Sequence, residues 1–211
     1  MEGLLIFDLD GTLVDSREDI AVSVNLTLKA MSFPFREHRE IYGYIGGGVH
    51  NLIYNSLPEE AKEAVPRGVE LFWRVYKEHV LDSTRAYPGM TETLETLTSK
   101  KAVATNKPLE HARLILDGLG MSRYFINVQG WTQGLSVKPD PQIVLLALHG
   151  SGVSPSDAVM VGDGINDILA SKAAGIRSCA VGYGYGGKER LMEAGPDYFA
   201  AEVGDLVRIF G

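Results

Sequence analysis

Residues 7–13 read Phe-Asp-Leu-Asp-Gly-Thr-Leu, from Phe7 to Leu13, and this stretch is the strongest local signal in the sequence. It follows the apolar run Gly3 to Phe7, and a continuous apolar run bounded by charge is typical of a strand buried on both faces of a parallel sheet. Asp8 and Asp10 would then leave the carboxyl end of that strand, where α/β folds bind their ligands. Two acids so placed can share a divalent cation and act as nucleophile and as acid/base.

Further apolar runs recur along the chain with helical patterns between them. The predicted strands are Ala102–Thr105, Phe125–Val128, Ala158–Gly162 and Ser178–Gly182, and the predicted helices are Thr91–Ser99, Leu109–Gly118, Pro141–Leu148 and Asp167–Ala174. Strands that alternate with helices indicate βαβ units and a parallel sheet. The sequence therefore predicts an α/β fold.

Residues 16–82 break this alternation. Ser16 and Asp19 form a capping-box pattern that is followed by apolar residues at helical spacing. Further helices are predicted at Val49–Leu57 and Pro58–Leu81, with a break of the second at Pro66. We expect residues 16–82 to form an all-helical insertion, and residues 1–15 and 83–211 to form the α/β core.

The composition disfavours several functional classes. The chain has 211 residues with 20 Lys+Arg against 27 Asp+Glu, and its net charge of −7 argues against a general electrostatic grip on nucleic acid or an anionic membrane. A single cysteine, Cys179, excludes an intramolecular disulfide, and no apolar stretch approaches the ~20 residues that span a bilayer. We expect a cytoplasmic protein, monomeric or homodimeric, that binds neither nucleic acid nor membrane.

Polar groups also follow other predicted strands. Thr105, followed by Asn106, could donate its hydroxyl to a phosphoryl oxygen, and Lys138 precedes a helix where its ammonium could neutralise phosphoryl charge. Asp163, between two glycines, could complete an oxygen-rich site suited to Mg²⁺. Asp167 could cap the next helix, or hold a lysine or a metal-bound water. Taken singly, each residue is more typical of an ordinary turn, cap or exposed lysine than of a phosphate site.

Together, the motifs Asp-x-Asp-Gly-Thr, Thr-Asn, Lys-Pro and Gly-Asp-x-x-x-Asp occur in an order that resembles the haloacid dehalogenase superfamily of phosphohydrolases. The resemblance covers essentially the whole chain. It implies a Rossmann-like parallel sheet, with the helical insertion as a cap of the C1 type. Residues 8–16, 87–90 and 181–186 are similar to the phosphoglycolate phosphatase group, whereas residues 129–134 and 164–166 depart from the pattern of that group.

The resemblance implies roles for single residues. Asp8 would be the nucleophile that forms an aspartyl-phosphate, and Asp10 would be the acid/base. Thr105 and Lys138 would orient the phosphoryl group. Asp8, the backbone carbonyl of Asp10, and Asp163 would bind Mg²⁺, with Asp167 nearby.

Further contacts follow from the same resemblance. Leu9, Gly11 and Asn106 would add donors to the phosphate. The candidate residues for substrate specificity lie in the insertion and are Arg17, Gly47, Gly48, His50 and Asn51.

The implied function is Mg²⁺-dependent hydrolysis of a small phosphorylated metabolite, with 2-phosphoglycolate as the leading substrate. Within the superfamily, an inorganic pyrophosphatase, a nucleotidase and a phosphosugar mutase are alternatives. A non-catalytic phosphate- or nucleotide-binding regulator is an alternative of another class. It is prompted by residues 182–189, which match a P-loop up to Glu189, where a P-loop has Ser or Thr.

Overall fold

The computed structural model describes residues 3–211, and these divide into two compact units. The core unit contains the described residues up to Asp15 together with Ala86–Gly211, and the helical unit is Ser16–Arg85. Residues 1 and 2, which begin the predicted core segment 1–15, lie outside the described residues. Across residues 3–211, no helix combines the length and the hydrophobicity needed to cross a membrane.

The core unit is built on a six-stranded parallel sheet. The strands in chain order are β1 (Leu4–Phe7), β2 (Val14–Asp15), β3 (Arg85–Ala86), β4 (Lys100–Pro108), β5 (Asn127–Trp131), β6 (Ala158–Gly162), β7 (Arg177–Val181) and β8 (Tyr198–Ala200). The order across the sheet is β5-β4-β1-β6-β7-β8, while β2 and β3 pair separately. All five pairings between neighbours in the large sheet are parallel, which confirms the predicted α/β fold.

The helices follow the same chain order. They are α1 (Arg17–Ala30), α2 (His38–Tyr42), α3 (Gly48–Ser56), α4 (Val65–His79), α5 (Met90–Thr96), α6 (Leu109–Gly118), α7 (Gln142–Leu148), α8 (Ile165–Ala173), α9 (Lys188–Glu193) and α10 (Asp205–Phe210). The first four belong to the helical unit, and the others belong to the core unit.

Strand β1 occupies the middle of the sheet, and all four of its residues are buried. Phe7 lies in register with Val103 of β4 and with Val161 of β6. Because parallel strands end at the same edge, this register brings the residues that follow Phe7, Val103 and Val161 to one edge of the sheet. The buried apolar strands therefore also bring the polar residues that follow them close together.

The core unit keeps its two chain segments adjacent where the helical unit begins and ends. The backbone N–H of Tyr87 donates to the carbonyl of Leu13 at 3.1 Å. The chain thus leaves the core unit after Asp15 and re-enters it at Ala86, next to this hydrogen bond.

Within the helical unit, the predicted helix Pro58–Leu81 is divided. A 3₁₀ helix covers Glu59–Ala64, and α4 starts at Val65, so Pro66 lies in the first turn of α4. Proline suits that position because it removes no hydrogen bond there. Phe72 and Tyr76 of α4 stack with their ring centroids 5.4 Å apart and are buried in the unit's interior.

The predicted capping box at the start of α1 is wrong. The Ser16 side chain makes no cap hydrogen bond, and the buried Asp19 carboxylate instead accepts the backbone N–H of Ser83 at 2.8 Å and that of Thr84 at 2.7 Å. The Thr84 hydroxyl donates to the same carboxylate at 2.7 Å. These bonds hold residues 83 and 84 in the helical unit, so the core resumes at Ala86 and not at residue 83.

Candidate active site

Asp8 lies at the carboxyl end of β1, where it continues the pairing with β6 through its N–H, which donates to Val161. Its Oδ1 accepts the N–H of Leu9 at 2.7 Å and lies 2.9 Å from Nζ of Lys138. The side chain keeps 17% of its surface exposed. Burial raises the pKa of the Asp8 carboxyl to about 6, although Lys138 opposes that shift. Asp8 is therefore anchored by one oxygen and still accessible to a ligand.

Lys138 links two of the predicted motifs. Its Nζ donates to the backbone carbonyl of Ala104 at 2.7 Å and to Oδ1 of Asp167 at 2.6 Å, besides its contact with Asp8. Burial opposes the charged ammonium, but the Asp167 and Asp8 carboxylates outweigh it and hold the pKa of Lys138 above its ordinary value. The lysine is thus a fixed positive charge beside Asp8.

Asn106 fixes the backbone of Lys138. Its Nδ2 donates to the Lys138 carbonyl at 2.9 Å, and its Oδ1 accepts the Lys138 N–H at 2.7 Å. Since both ends of the carboxamide bind this backbone, the side chain serves the lysine loop. The predicted contact of Asn106 with phosphate stays a prediction.

Asp163 lies at the end of β6, buried to 5% exposure. Its Oδ2 accepts the backbone N–H of Tyr185 at 2.7 Å, and its Oδ1 lies 3.3 Å from the Thr12 hydroxyl, which donates to it. Burial, together with the charges of Asp167 and Asp8, raises the pKa of Asp163 to about 7. Gly11, at φ +79°, lies so close that a side chain there would overlap with this carboxylate.

Residues 182–187, which we call the glycine loop, run from the end of β7 to α9 and pack around Asp163. A Cβ on Gly184 would overlap with the Gly11 carbonyl oxygen and with Asp163. The Tyr183 hydroxyl donates to the Thr12 carbonyl at 3.1 Å. The loop therefore closes on the motif that carries Asp8.

This geometry explains the resemblance of residues 182–189 to a P-loop. The N–H of Tyr185 binds the protein's own Asp163 carboxylate, whereas the amides of a P-loop bind phosphate oxygens. Nζ of Lys188 lies 5.3 Å from the Phe199 ring centroid. The glycine loop thus serves as a wall for a carboxylate, and its hydrogen bonding gives no support to a nucleotide site.

Asp10 has a partner that the sequence reasoning missed. Nζ of Lys107, at the end of β4, lies 2.9 Å from Oδ1 and 2.8 Å from Oδ2 of Asp10. The Lys107 side chain is 4% exposed and that of Asp10 is 19% exposed. The only sequence signal for this pair was that Lys107 adjoins the Thr-Asn motif.

Two of the predicted phosphate donors, the backbone N–H groups of Leu9 and Gly11, already have protein acceptors. The Leu9 N–H donates to Asp8, and the Gly11 N–H donates to the Val14 carbonyl at 2.9 Å. Thr105 is 2% exposed, and its hydroxyl oxygen accepts the Lys107 N–H at 3.2 Å. The hydroxyl proton of Thr105 can therefore still be given to a ligand oxygen.

The comparisons with known proteins identify the family. The sequence model of the haloacid dehalogenase-like hydrolases matches residues 5–181. The chain belongs to this family. The prediction made from the four motifs is thereby confirmed, and so is the predicted enzyme class, a phosphoric monoester hydrolase.

Several relatives of this hydrolase match over nearly their whole length. Phosphoglycolate phosphatase from Aquifex aeolicus is 37% identical over 98% of the chain and 95% of its own sequence. The protein of the same name from Vibrio parahaemolyticus is 33% identical, with the same coverage. The crystal structure of a predicted phosphoglycolate phosphatase from Haemophilus somnus aligns with a TM-score of 0.87 at 30% identity, covering 100% of the chain and 98% of that protein.

The acidic cluster of this hydrolase fits a divalent cation. Carboxylate oxygens of Asp8, Asp163 and Asp167 lie within 4.8 Å of one another. Hard oxygen donors of this kind suit Mg²⁺. The raised pKa values of Asp8 and Asp163 indicate that their charges are costly without a cation. Asp167 already accepts Lys138 with one oxygen and the Gly164 N–H, at 2.9 Å, with the other, which suits a position beside the cation.

The predicted specificity residues belong to the helical unit. Arg17 begins α1, and its guanidinium lies 5.7 Å from the Tyr42 ring centroid. Four more cluster at the exposed start of α3, and these are Gly47, Gly48, His50 and Asn51. Their contact with substrate stays a prediction.

Proposed function

We propose that this hydrolase is a Mg²⁺-dependent phosphatase of small phosphomonoesters that acts through an aspartyl-phosphate on Asp8, with 2-phosphoglycolate as the leading substrate. The observation that carries the proposal is the placement of Asp8, on the central strand, between the ammonium of Lys138 and carboxylates that fit a cation. The choice of substrate is supported by the relatives that bear the name phosphoglycolate phosphatase.

In the first half of the reaction, an oxygen of Asp8 attacks phosphorus, and the bond from phosphorus to the leaving oxygen breaks. Asp10 gives its proton to that oxygen, so the alcohol leaves neutral. The Thr105 hydroxyl binds a phosphoryl oxygen, and the fixed positive charge of Lys138 stabilises the charge spread over the phosphoryl oxygens. When bound, Mg²⁺ would be held by Asp8, Asp163 and the Asp10 carbonyl, and it would supply further positive charge to stabilise the phosphoryl oxygens.

In the second half, Asp10 is ionised and takes a proton from a water molecule. That water attacks the phosphorus of the aspartyl-phosphate, and the bond to Asp8 breaks. Inorganic phosphate leaves, Asp8 is a carboxylate again, and Asp10 is protonated for the next turnover. Covalent catalysis thus divides one difficult displacement into two easier steps.

The helical unit, Ser16–Arg85, is proposed to act as the cap that selects the leaving group. Its exposed polar residues at the start of α3, His50 and Asn51, and the guanidinium of Arg17 are the groups that would contact it. Their substitution by alanine is expected to raise KM for 2-phosphoglycolate more than KM for p-nitrophenyl phosphate.

A phosphate-release assay over a panel of esters, with and without Mg²⁺, tests the proposal. We expect release from 2-phosphoglycolate with Mg²⁺ and none after chelation. Asp8→Asn should abolish turnover while the protein stays folded, and Asp117→Asn, an exposed acid on α6, should not change it. Sustained turnover by Asp8→Asn, with deamidation excluded by mass spectrometry, would rule out the nucleophile.

The same panel separates the alternatives. A pyrophosphatase or a nucleotidase would prefer pyrophosphate or nucleoside monophosphates. A phosphosugar mutase would interconvert phosphosugars without net release of phosphate.

A further inference from the structure

Two lysines of β4 are buried, and they have different surroundings. Lys101, near the start of the strand, is 8% exposed, and its Nζ binds the backbone carbonyls of Leu97 and Ser99. Lys107, near the end, is 6% exposed, and its Nζ binds both carboxylate oxygens of Asp10. Lys101 therefore holds backbone, whereas Lys107 holds a side chain to which the proposed reaction assigns two proton transfers.

The backbone of β4 is irregular around Lys107. The pairing of β4 with β5 shifts register between Ala104 and Pro108, and the Lys107 N–H donates to the Thr105 hydroxyl oxygen at 3.2 Å. Register shifts of this kind are used in sheets to redirect a side chain. Gly130 of β5 permits the close approach, because a Cβ there would lie 2.7 Å from the Lys107 carbonyl oxygen.

The ammonium of Lys107 restrains the orientation of the Asp10 carboxylate. One ammonium at 2.9 and 2.8 Å from the two oxygens restrains rotation of the carboxylate about its last bond. A general acid or base must stay within hydrogen-bond reach of the atom it serves, and Asp10 is assigned two such atoms in turn, the leaving oxygen and the attacking water.

We propose that Lys107 is a positioning residue that acts through Asp10, holding its carboxylate for proton transfer to the leaving oxygen. The inference rests on the proposed function, because it presupposes the acid/base role of Asp10. It assigns no contact between Lys107 and substrate.

The leaving group provides the test. An alkyl ester such as 2-phosphoglycolate needs a proton on its leaving oxygen, whereas p-nitrophenyl phosphate loses a stable anion and does not. Stopped-flow and rapid-quench measurements of the first turnover follow ester cleavage before water is needed. For Lys107→Met, we expect the cleavage rate of 2-phosphoglycolate to fall about tenfold to hundredfold, a part of the 10²–10⁴ that general acid catalysis contributes, and that of p-nitrophenyl phosphate to change by less than about threefold.

The matched control is Lys101→Met, which also removes a buried ammonium from β4 but leaves Asp10 alone. It should show no difference between the two esters, whatever it does to stability. Lys107→Gln keeps one amide donor and should show a smaller difference in the same direction, so it serves as the second variant where the methionine protein does not fold.

A double variant tests whether Lys107 acts through Asp10. In an Asp10→Asn background, Lys107→Met should cause no further loss with 2-phosphoglycolate, because residues that act as a unit are not additive. Equal losses on both esters, or an undiminished loss in the Asp10→Asn background, would overturn the role of Lys107 and leave the phosphatase proposal intact. If Asp10→Asn itself slows both esters equally, the acid/base role of Asp10 is wrong, and the positioning role falls with it.

Discussion

Gly184 offers a test of how the glycine loop supports the proposed metal ligand Asp163. A Cβ at this position would overlap with the Gly11 carbonyl oxygen and with Cβ of Asp163, and would lie 2.8 Å from Cγ of Asp163. Two of these three atoms are not the free end of a flexible chain, so the loop itself must move. Such movement stretches or breaks the bond from the Tyr185 N–H to Oδ2 of Asp163, which is 2.7 Å long.

The expected loss of Mg²⁺ affinity follows from the disturbed bond between the Tyr185 N–H and the Asp163 carboxylate. Groups that orient a metal ligand change metal affinity by about 10–100-fold, which is roughly 1.4–2.7 kcal/mol. Forcing an extra methyl group into a packed site costs about 1–3 kcal/mol of folding stability. We therefore expect Gly184→Ala to weaken Mg²⁺ binding by about 10–100-fold in isothermal titration calorimetry, and to lower the melting temperature.

The control is in the same loop. Gly187 is exposed, its φ is −73°, and a Cβ added to it would have no other atom within 4 Å, so Gly187→Ala should bind Mg²⁺ like the parent protein. Parent-like Mg²⁺ affinity in Gly184→Ala would refute the reasoning that the loop sets the position of Asp163. Equal weakening by both substitutions would refute it as well, since only one of them touches the carboxylate.

Three further predictions concern single side chains. Asn106→Ala removes both hydrogen bonds to the Lys138 backbone, each of which contributes roughly 0.5–1.5 kcal/mol. It should lower kcat about fivefold to a hundredfold with unchanged Mg²⁺ affinity, and an unchanged kcat would contradict this prediction. Asp19→Asn replaces one carboxylate oxygen by an NH₂ group that faces N–H donors, and should lower the free energy of unfolding by about 1–3 kcal/mol. Hydrogen exchange at Ser83 and Thr84 should become faster, and unchanged protection of these amides would argue against the prediction. Burial raises the pKa of the Cys179 thiol to about 12, so the reactive thiolate is scarce at pH 8, and iodoacetamide should label the native protein far more slowly than the urea-unfolded chain; equal rates would show the thiol to be accessible.

The sequence predicted those parts of the fold in which local pattern and burial agree. The strand β6 matches its predicted bounds, Ala158–Gly162, because a run buried on both faces must be apolar throughout. The strand β8, Tyr198–Ala200, was missed because it is a three-residue edge strand that is only partly buried. Short edge strands carry too little pattern to be recognised.

The missed parts of the candidate site depend on distant pairs. Lys107 looks like any lysine in a loop, and only the fold brings it to Asp10, which lies 97 positions earlier in the chain. Asp19 fits a local capping pattern, but its carboxylate binds residues 64 and 65 positions later. A sequence pattern reports neighbours along the chain, so partners of this kind stay invisible to it.

The bond between the Tyr87 N–H and the Leu13 carbonyl closes the intervening segment into a loop inserted in the core. The entropy of closing such a loop rises only with the logarithm of its length, at about 0.6 kcal/mol for each doubling. A segment much shorter or much longer than Ser16–Arg85 could therefore start and finish at this junction at little cost to the folding of the core. Asp8, Asp10 and Lys107 all lie outside this inserted loop. Exchange of the whole segment would therefore keep the core residues that position these three side chains.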